Sequence, residues 1–293
     1  MSDTIGSLSA FSAALADLVR RTAPSIVTIK SQSGELTGFV WRPGLVVAAE
    51  DAFDDDRDIS IVAHDGASAT AELVGRDPTT DVALLRFQRT ELPQALLATQ
   101  SVAAGALAIV VGAREGRPSA SLGVVSYAGA QWRSMRGGLI DARIELSATL
   151  RRSSEGGLAL DADGRAFGMA VFGPRRRTLV IPFATVDRAA EALLAKGRVA
   201  RGYLGLGLQP VKLDGGGVGL MALSVDALGP GGGAGVRQGD VIVAWNGEPI
   251  RGFHHLMRAL GPDSVGQAVR LSLRRAGEPI ELALTIGERP QAQ

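Results

Sequence analysis

Apolar positions change their period along the chain. In SLSAFSAALADLVRR, Leu8, Phe11, Leu15, Leu18 and Val19 recur at helical spacing, which predicts an amphipathic helix within residues 1–22. From residue 23 the pattern turns into short runs: LTGFVW, DISIVAH, DVALLRF, ALAIVVG, GVVSYAG and RAFGMAVFG. These runs are rich in β-branched residues and bounded by Gly, Pro, Asp or Ser, the signature of strands in a sandwich or barrel. Helical spacing returns in VDRAAEALLAKGRV (186–199), where Lys196 lies in the last turn and Gly197 is a stop signal. This helix is a natural bridge to a second domain. Beyond it, Asn246-Gly247 predicts a tight hairpin turn. Leu256 and Leu260, at a spacing of four, read as core positions.

At 293 residues the chain exceeds the usual size of a single core, so two domains are expected. The net charge of +1 argues against a nucleic-acid footprint. The acidic run EDAFDDDRD (50–58) and the basic run GPRRRT (173–178) are local exceptions and read as solvated loops. Cysteine is absent, which removes disulfides and thiolate metal sites and leaves the redox compartment open. Residues 1–22 lack an early Lys or Arg and an unbroken apolar core with a cleavage site, so no signal peptide is read there. No run reaches the ~18 apolar residues of a membrane span. Cytoplasmic residence is the expectation that follows.

The chemistry-bearing stretch is IELSATLRRSSEGGLALDADGRAFGM (144–169), where Gly156 and Gly157 suit a tight turn. It resembles the nucleophile loop of the HtrA (Deg) group of trypsin-like proteases with a C-terminal PDZ domain, whose pattern runs Ile-Gln-Thr-Asp-Ala-Ala-Ile-Asn-Pro-Gly-Asn-Ser-Gly-Gly-Pro-Leu. Aligned without a gap, Ile144, Ala148, Gly156 and Gly157 agree. Ser153 then stands for the oxyanion-hole Gly, Ser154 for Asn, Glu155 for the nucleophilic Ser and Leu158 for Pro. APSIVTIKS (23–31) looks like the family's first strand. TGFVWRPGLVVAAEDAF (37–53) looks like the strand pair ending in the catalytic His loop and places Asp51 at the His position. GRDPTTDVALLRF (75–87) is similar to the third triad block and assigns Asp81 to the triad Asp. Gly123-Val124-Val125-Ser126 and TLVIPFATV (178–186) match further strands of the group.

The resemblance therefore implies a degenerate triad of Asp51, Asp81 and Glu155, and hence a protein that is not an enzyme. A serine protease needs an imidazole to take the hydroxyl proton, and a carboxylate is a poor acyl-transfer nucleophile. The three histidines, His64, His254 and His255, fall outside the triad positions of the alignment. The alternative is an active endopeptidase with a displaced nucleophile, Ser153 or Ser154. Two carboxylates about 4 Å apart repel by roughly 4 kcal/mol at an effective dielectric near 20. A shared proton, Arg151 or Arg152, or a hard cation could relieve that, or the side chains could point apart into solvent. Three carboxylates at these separations form no recognised ligand spacing, so neither a metal nor any other cofactor is called for.

The C-terminal third carries independent matches. RGYLGLGL (201–208) resembles a PDZ carboxylate-binding loop, in which backbone N–H groups capture a peptide C-terminus while the peptide adds a strand to a sheet edge. Tyr203, Leu204, Gly205 and Leu206 are the peptide-binding residues it implies. In GPGGGAGVRQGDVIVAWNGEPI (229–250), Gly235, Gly239, Asp240, Ile242, Asn246 and Gly247 fall in the group's register. The glycine tract 231–233 departs from it, so the adjacent loop is expected to be looser than in the group. His254 or His255, opening the groove helix, could read a ligand hydroxyl or simply face solvent.

The expected fold is mostly β: a chymotrypsin-like double β-barrel followed by an α+β PDZ domain. The divisions are an N-terminal amphipathic segment (1–22), the barrels (23–186), a linker helix (187–200) and the PDZ domain (201–293). Expected partners are peptide or protein C-termini, unfolded chains or an active relative, in the service of protein quality control. The N-terminal helix packs on the barrel or forms a trimer contact.

Overall fold

The computed structural model describes residues 2–32, 34–52, 59–98 and 101–290. Most of the acidic run read as a solvated loop, residues 53–58, lies outside the described residues. By mutual contact the chain divides into two units, residues 1–132 with 140–198 and residues 133–139 with 199–293.

The first unit holds two closed antiparallel barrels. One is formed by β1 (Ile26–Ser31), β2 (Gly34–Arg42), β3 (Leu45–Ala48), β4 (Ile59–Ala63), β5 (Ser68–Asp77) and β6 (Val82–Phe87), in the order β1-β2-β3-β6-β5-β4. The other takes β7 (Leu107–Arg114), β8 (Arg117–Gly129), β11 (Arg143–Leu146), β12 (Leu158–Leu160), β13 (Ala166–Phe172) and β14 (Thr178–Pro182), in the order β11-β14-β13-β12-β7-β8. Between β8 and β11 a short ribbon pairs β9 (Trp132–Arg133) with β10 (Leu139–Ile140). Closure removes free strand edges, and the alternation of β4, with Ile59, Ile61 and Ala63 turned inward, shows the period-2 pattern that directs it. Ile29, Phe39, Val46, Val47, Ile61, Leu84 and Leu85 are buried in and around the first barrel, each at most 1% exposed. Ala108, Val110, Val125, Ala159, Ala170 and Val180 belong to the core of the second.

Two helices brace this unit. α1 (Ser2–Thr22) buries Leu18 but leaves Leu8 64% and Phe11 45% exposed, so only the C-terminal end of the expected apolar face is docked. α2 (Phe183–Lys196) begins three residues before the helical spacing, because Phe183 packs edge-on against Phe39 of β2 at 5.5 Å, a tertiary contact that periodicity does not encode. Gly197 ends α2 in the left-handed region at φ 68°, its N–H donating to the Leu193 carbonyl at 2.7 Å. Thr185, Val186, Ala189, Ala190 and Leu193 are buried along it.

In the second unit β15 (Gly202–Tyr203) pairs with β22 (Gly287–Glu288). The main sheet runs β16-β17-β18-β20-β21, made of β16 (Leu206–Lys212), β17 (Val218–Val225), β18 (Val241–Trp245), β20 (Ala268–Arg275) and β21 (Glu278–Thr285), with β19 (Glu248–Pro249) paired to β18. Asn246 at φ 48° and Gly247 at φ 84° form the two-residue turn joining β18 to β19. Both angles are positive, as a type I′ hairpin requires. The glycine tract itself lies in the single helical turn α3 (Pro230–Gly233), with Gly233 N–H donating to the Gly229 carbonyl at 2.9 Å. α4 (Phe253–Ala259) turns Leu256 into a core with Leu220, Ile242, Leu271 and Leu273. Asp240, 1% exposed, accepts two bonds from Arg275 at 2.9 and 2.8 Å and one from the Arg237 N–H at 2.8 Å, which together hold its carboxyl below the usual range despite burial.

Candidate active site

The first barrel supplies one side of the site. Asp77 at the end of β5 is 1% exposed and accepts from the Thr79 N–H (2.9 Å), the Thr79 hydroxyl (2.6 Å) and the Thr80 hydroxyl (2.5 Å). This knot turns the chain so that Asp81 sits at φ 60°, a left-handed conformation that Asp tolerates better than most residues. Asp81 then receives two backbone donors from the turn after β3: the Asp51 N–H on its carboxylate at 2.8 Å and the Glu50 N–H on its carbonyl at 3.3 Å. Burial pushes the Asp81 carboxyl well above the usual carboxylate range. The Asp51 N–H opposes this, and the charges of Asp51, Glu155 and Glu50 reinforce it.

Glu50 escaped the sequence reading. It is 5% exposed, and its carboxylate pairs with Arg76 at 2.8 Å. The signal was an acid beside the predicted His position, but it opened a run that reads as a solvated loop. Oxygens of Glu50, Asp51 and Asp81 lie within 4.8 Å of one another. Such oxygen donors suit a hard divalent cation, yet Arg76 already neutralises Glu50.

The second barrel supplies Glu155, which follows a 3-10 turn over Arg152–Ser154. The turn is tied to Thr37 of β2, whose hydroxyl donates to the Ser153 carbonyl at 2.6 Å and whose N–H donates to the Glu155 carbonyl at 3.0 Å. Next comes Gly156 at φ 83°, where a Cβ would overlap the Thr37 carbonyl oxygen, so only glycine fits. The Glu155 side chain is 5% exposed and accepts from the Phe172 N–H at 3.4 Å. Burial raises its carboxyl above the ordinary value. The Phe172 N–H opposes the rise, as do Arg152 and Arg176, while Asp51 adds to it.

The loop amides are occupied. Ser154, Glu155, Gly156 and Gly157 donate to the carbonyls of Arg151, Arg152, Ala170 and Ser154, at 2.9 to 3.1 Å. An oxyanion would have to compete for them. Ser154, 8% exposed, shares a hydrogen bond with Ser119 of β8 at 3.1 Å, and Ser153 is half-buried. His64 is exposed in the turn between β4 and β5, and among the described residues no hydrogen bond joins it to either serine.

In the second unit Tyr203 donates its hydroxyl to Asp226 at 3.2 Å, and burial raises the phenol pKa, with Asp226 adding to the rise. Leu204 is 3% exposed and belongs to the core, so its backbone alone is available to a ligand. Gly205, at φ 72°, accepts from the Asp226 N–H at 2.8 Å. Leu206 opens β16, an edge strand of the sheet. His254 is exposed on α4, while His255 accepts from the Arg251 N–H at 3.3 Å.

Two domain families match: the trypsin-like peptidase domain over residues 36–169 and the PDZ domain over residues 202–286. The chain carries a trypsin-like protease domain of the HtrA/DegP type with a C-terminal PDZ domain. It is 29% identical over 268 residues to a protein of Bartonella henselae that bears the name of a DegP-like periplasmic serine endoprotease, covering 86% of this chain and 53% of that one. A protein of the same name from Brucella suis is 30% identical over 272 residues, covering 87% and 52%. The chain thus spans about half the length of the curated relatives it matches. Among solved structures, a serine endoprotease from Yersinia pestis superposes with a TM-score of 0.68 at 23% identity, over 93% of this chain and 97% of that one. The HtrA-type protease AlgW with a decapeptide does so at 0.67 and 20%, over 94% and 99%. At such identities these two establish the HtrA-type fold.

Two expectations are corrected. That the chain is not an enzyme is overturned by the comparisons, since these relatives and neighbours are named serine endoproteases or proteases. Cytoplasmic residence is overturned because the curated relatives are named periplasmic.

Proposed function

We propose that this protein is an HtrA-type serine endopeptidase of the periplasm that acts on other polypeptides, with its PDZ unit capturing their C-termini. The observation that carries the capture is the edge position of β16 directly after the left-handed turn at Gly205. An edge strand offers unpaired backbone groups to an incoming strand, and a glycine turn lets a terminal carboxylate approach the main chain. Tyr203 to Leu206 form the capture loop in this reading, and His254 stands at the start of the groove helix. The proposed divisions are residues 1–22, 23–186, 187–200 and 201–293. Copies associate through the exposed Leu8 and Phe11 of α1. Unfolded chains are the substrate class, within protein quality control.

For hydrolysis, Ser153 and Ser154 are the hydroxyls beside the nucleophile position, and Ser154 must leave Ser119 to act. A serine hydroxyl without a positioned base is weakly nucleophilic, so turnover is expected to be slow. Incubation with unfolded casein and with a fluorophosphonate probe tests this. Cleavage and labelling that vanish in Ser153→Ala or Ser154→Ala support the reading, and their persistence in both variants sinks the displaced-nucleophile assignment. Capture is tested with peptides bearing a free or an amidated C-terminus. Equal binding of the two rejects the carboxylate loop.

A further inference from the structure

Glu155 is buried, but the two loops that touch it expose arginines. Arg151 and Arg152 lead into the 3-10 turn, and the Arg152 carbonyl accepts the Glu155 N–H at 3.1 Å. Across from them, the Arg176 guanidinium lies 4.9 Å from the ring centre of Phe172, the residue whose N–H bonds the Glu155 carboxyl. Arg175 and Arg176 stand at φ 58° and 57°, consecutive left-handed residues that are not glycine. Backbone strain of that kind persists where a segment is held for a purpose. Arg177 and Arg143 are engaged with Glu145, whereas Arg151, Arg152, Arg175 and Arg176 form no ion pair among the described residues. Four exposed arginines without an ion pair among the described residues therefore flank a buried carboxylate, Glu155, which feels Arg152 and Arg176 at longer range.

We propose that Arg152 and Arg176, flanked by Arg151 and Arg175, form an anion-selective rim that seats an Asp or Glu side chain of a polypeptide lying across Glu155. Guanidinium forks match carboxylates in shape and charge and bind them most strongly where water is partly excluded. Phe172 supplies such a wall, since its ring already stacks on Arg176. Asp51 and Asp81 belong to the first barrel and the arginines to loops of the second, although Asp51 lies close enough to Glu155 to raise its carboxyl. By charge pattern alone GPRRRT (173–178) is a solvated loop. Its position around Glu155 gives it a ligand.

The inference rests on the barrel site being a polypeptide site, and the experiment separates the two. Full-length protein is titrated with fluorescein-labelled octapeptides, amidated at the C-terminus to silence the PDZ unit, that differ only in Asp or Asn at the centre. The Asp peptide is expected to bind about 10-fold tighter, with the advantage shrinking as salt is raised toward about 0.5 M. Arg152→Gln with Arg176→Gln brings the two peptides to parity, whereas Lys at both positions retains part of the preference. Equal affinities in the wild-type protein, or an Asp preference that survives the double Gln variant, overturn the rim. Because the first of those comparisons uses the unaltered protein, a misfolded variant does not obscure the answer. Binding of neither peptide overturns the polypeptide reading along with the rim. Displacement of the Asp peptide by a single-stranded oligonucleotide at lower concentration than by unlabelled peptide assigns the arginines to phosphate and likewise overturns the proposal.

Discussion

The backbone N–H of Asp51 donates to the Asp81 carboxylate at 2.8 Å, so the residue that the sequence alignment sets at the imidazole position binds its neighbour through the main chain while its own side chain adds negative charge. Asp81 is thus held as if to orient a histidine and is pressed on by acids instead. Its carboxyl, like that of Glu155, is raised in the folded state, mainly by burial. For a raised acid the folded state binds the proton more tightly than the unfolded chain. The associated stability is complete below the unfolded pKa and is lost as pH rises through the folded one.

Asp81→Asn combined with Glu155→Gln should therefore raise the melting temperature by a margin that grows from pH 4 toward pH 8, because ionising either carboxyl costs more in the fold than in the unfolded chain. Below about pH 4, near the unfolded values, the gain should disappear. Each ~1 kcal/mol gained corresponds to roughly 2–4 °C for units of this size. Asn keeps an acceptor for the Asp51 N–H, so the comparison isolates charge. Melts of wild type and variant across pH 4–8 check it. A constant offset at every pH would place the effect in packing rather than ionisation.

Restoring the relay tests the alignment itself. Asp51→His places an imidazole on the residue already bonded to Asp81, and Glu155→Ser supplies a hydroxyl after the 3-10 turn. A positioned general base contributes about 10²–10⁴-fold, so the double variant should cleave casein at least ~100 times faster than either single variant. Singles that match the double would show that the two positions do not face one another.

Gly156 should tolerate no side chain. Its φ of 83° strains any other residue, and a Cβ meets the Thr37 carbonyl that ties the turn to β2. Gly156→Ala is expected to cost more than about 2 kcal/mol, read as a lower urea midpoint. A variant as stable as wild type would mean that the turn rearranges freely.

The barrels were legible because alternation and bounding turn residues are local signals, and Asn246-Gly247 specified its type I′ turn by residue type alone. Glu50 was not legible, because its pairing with Arg76 joins the turn after β3 to β5 and no short-range pattern announces it. The start of α2 was missed for the same reason, since Phe183 is fixed by Phe39 across the fold. Similarly, helical spacing found α1 but not which of its turns dock. Leu18 packs and Leu8 does not, although both belong to one apolar stripe.

The capture loop gives the last prediction. Gly205 lies at φ 72°, where a Cβ would stand 3.0 Å from the Gly229 Cα and 3.2 Å from the Asp226 Cβ. Asp226 also closes the turn, through its N–H to the Gly205 carbonyl and through its carboxylate to the Tyr203 hydroxyl. Gly205→Val adds a β-branched side chain to a left-handed position, so the turn must reopen and displace the amides offered to a peptide terminus. Affinity for free-carboxylate peptides should fall by about 10-fold or more, equal to ~1.4 kcal/mol. Hydrolysis of a C-terminally amidated substrate should change little. Isothermal titration with the free and amidated forms of one peptide reads the first effect. Unchanged affinity in a folded Gly205→Val variant would move the capture site away from Tyr203 to Leu206.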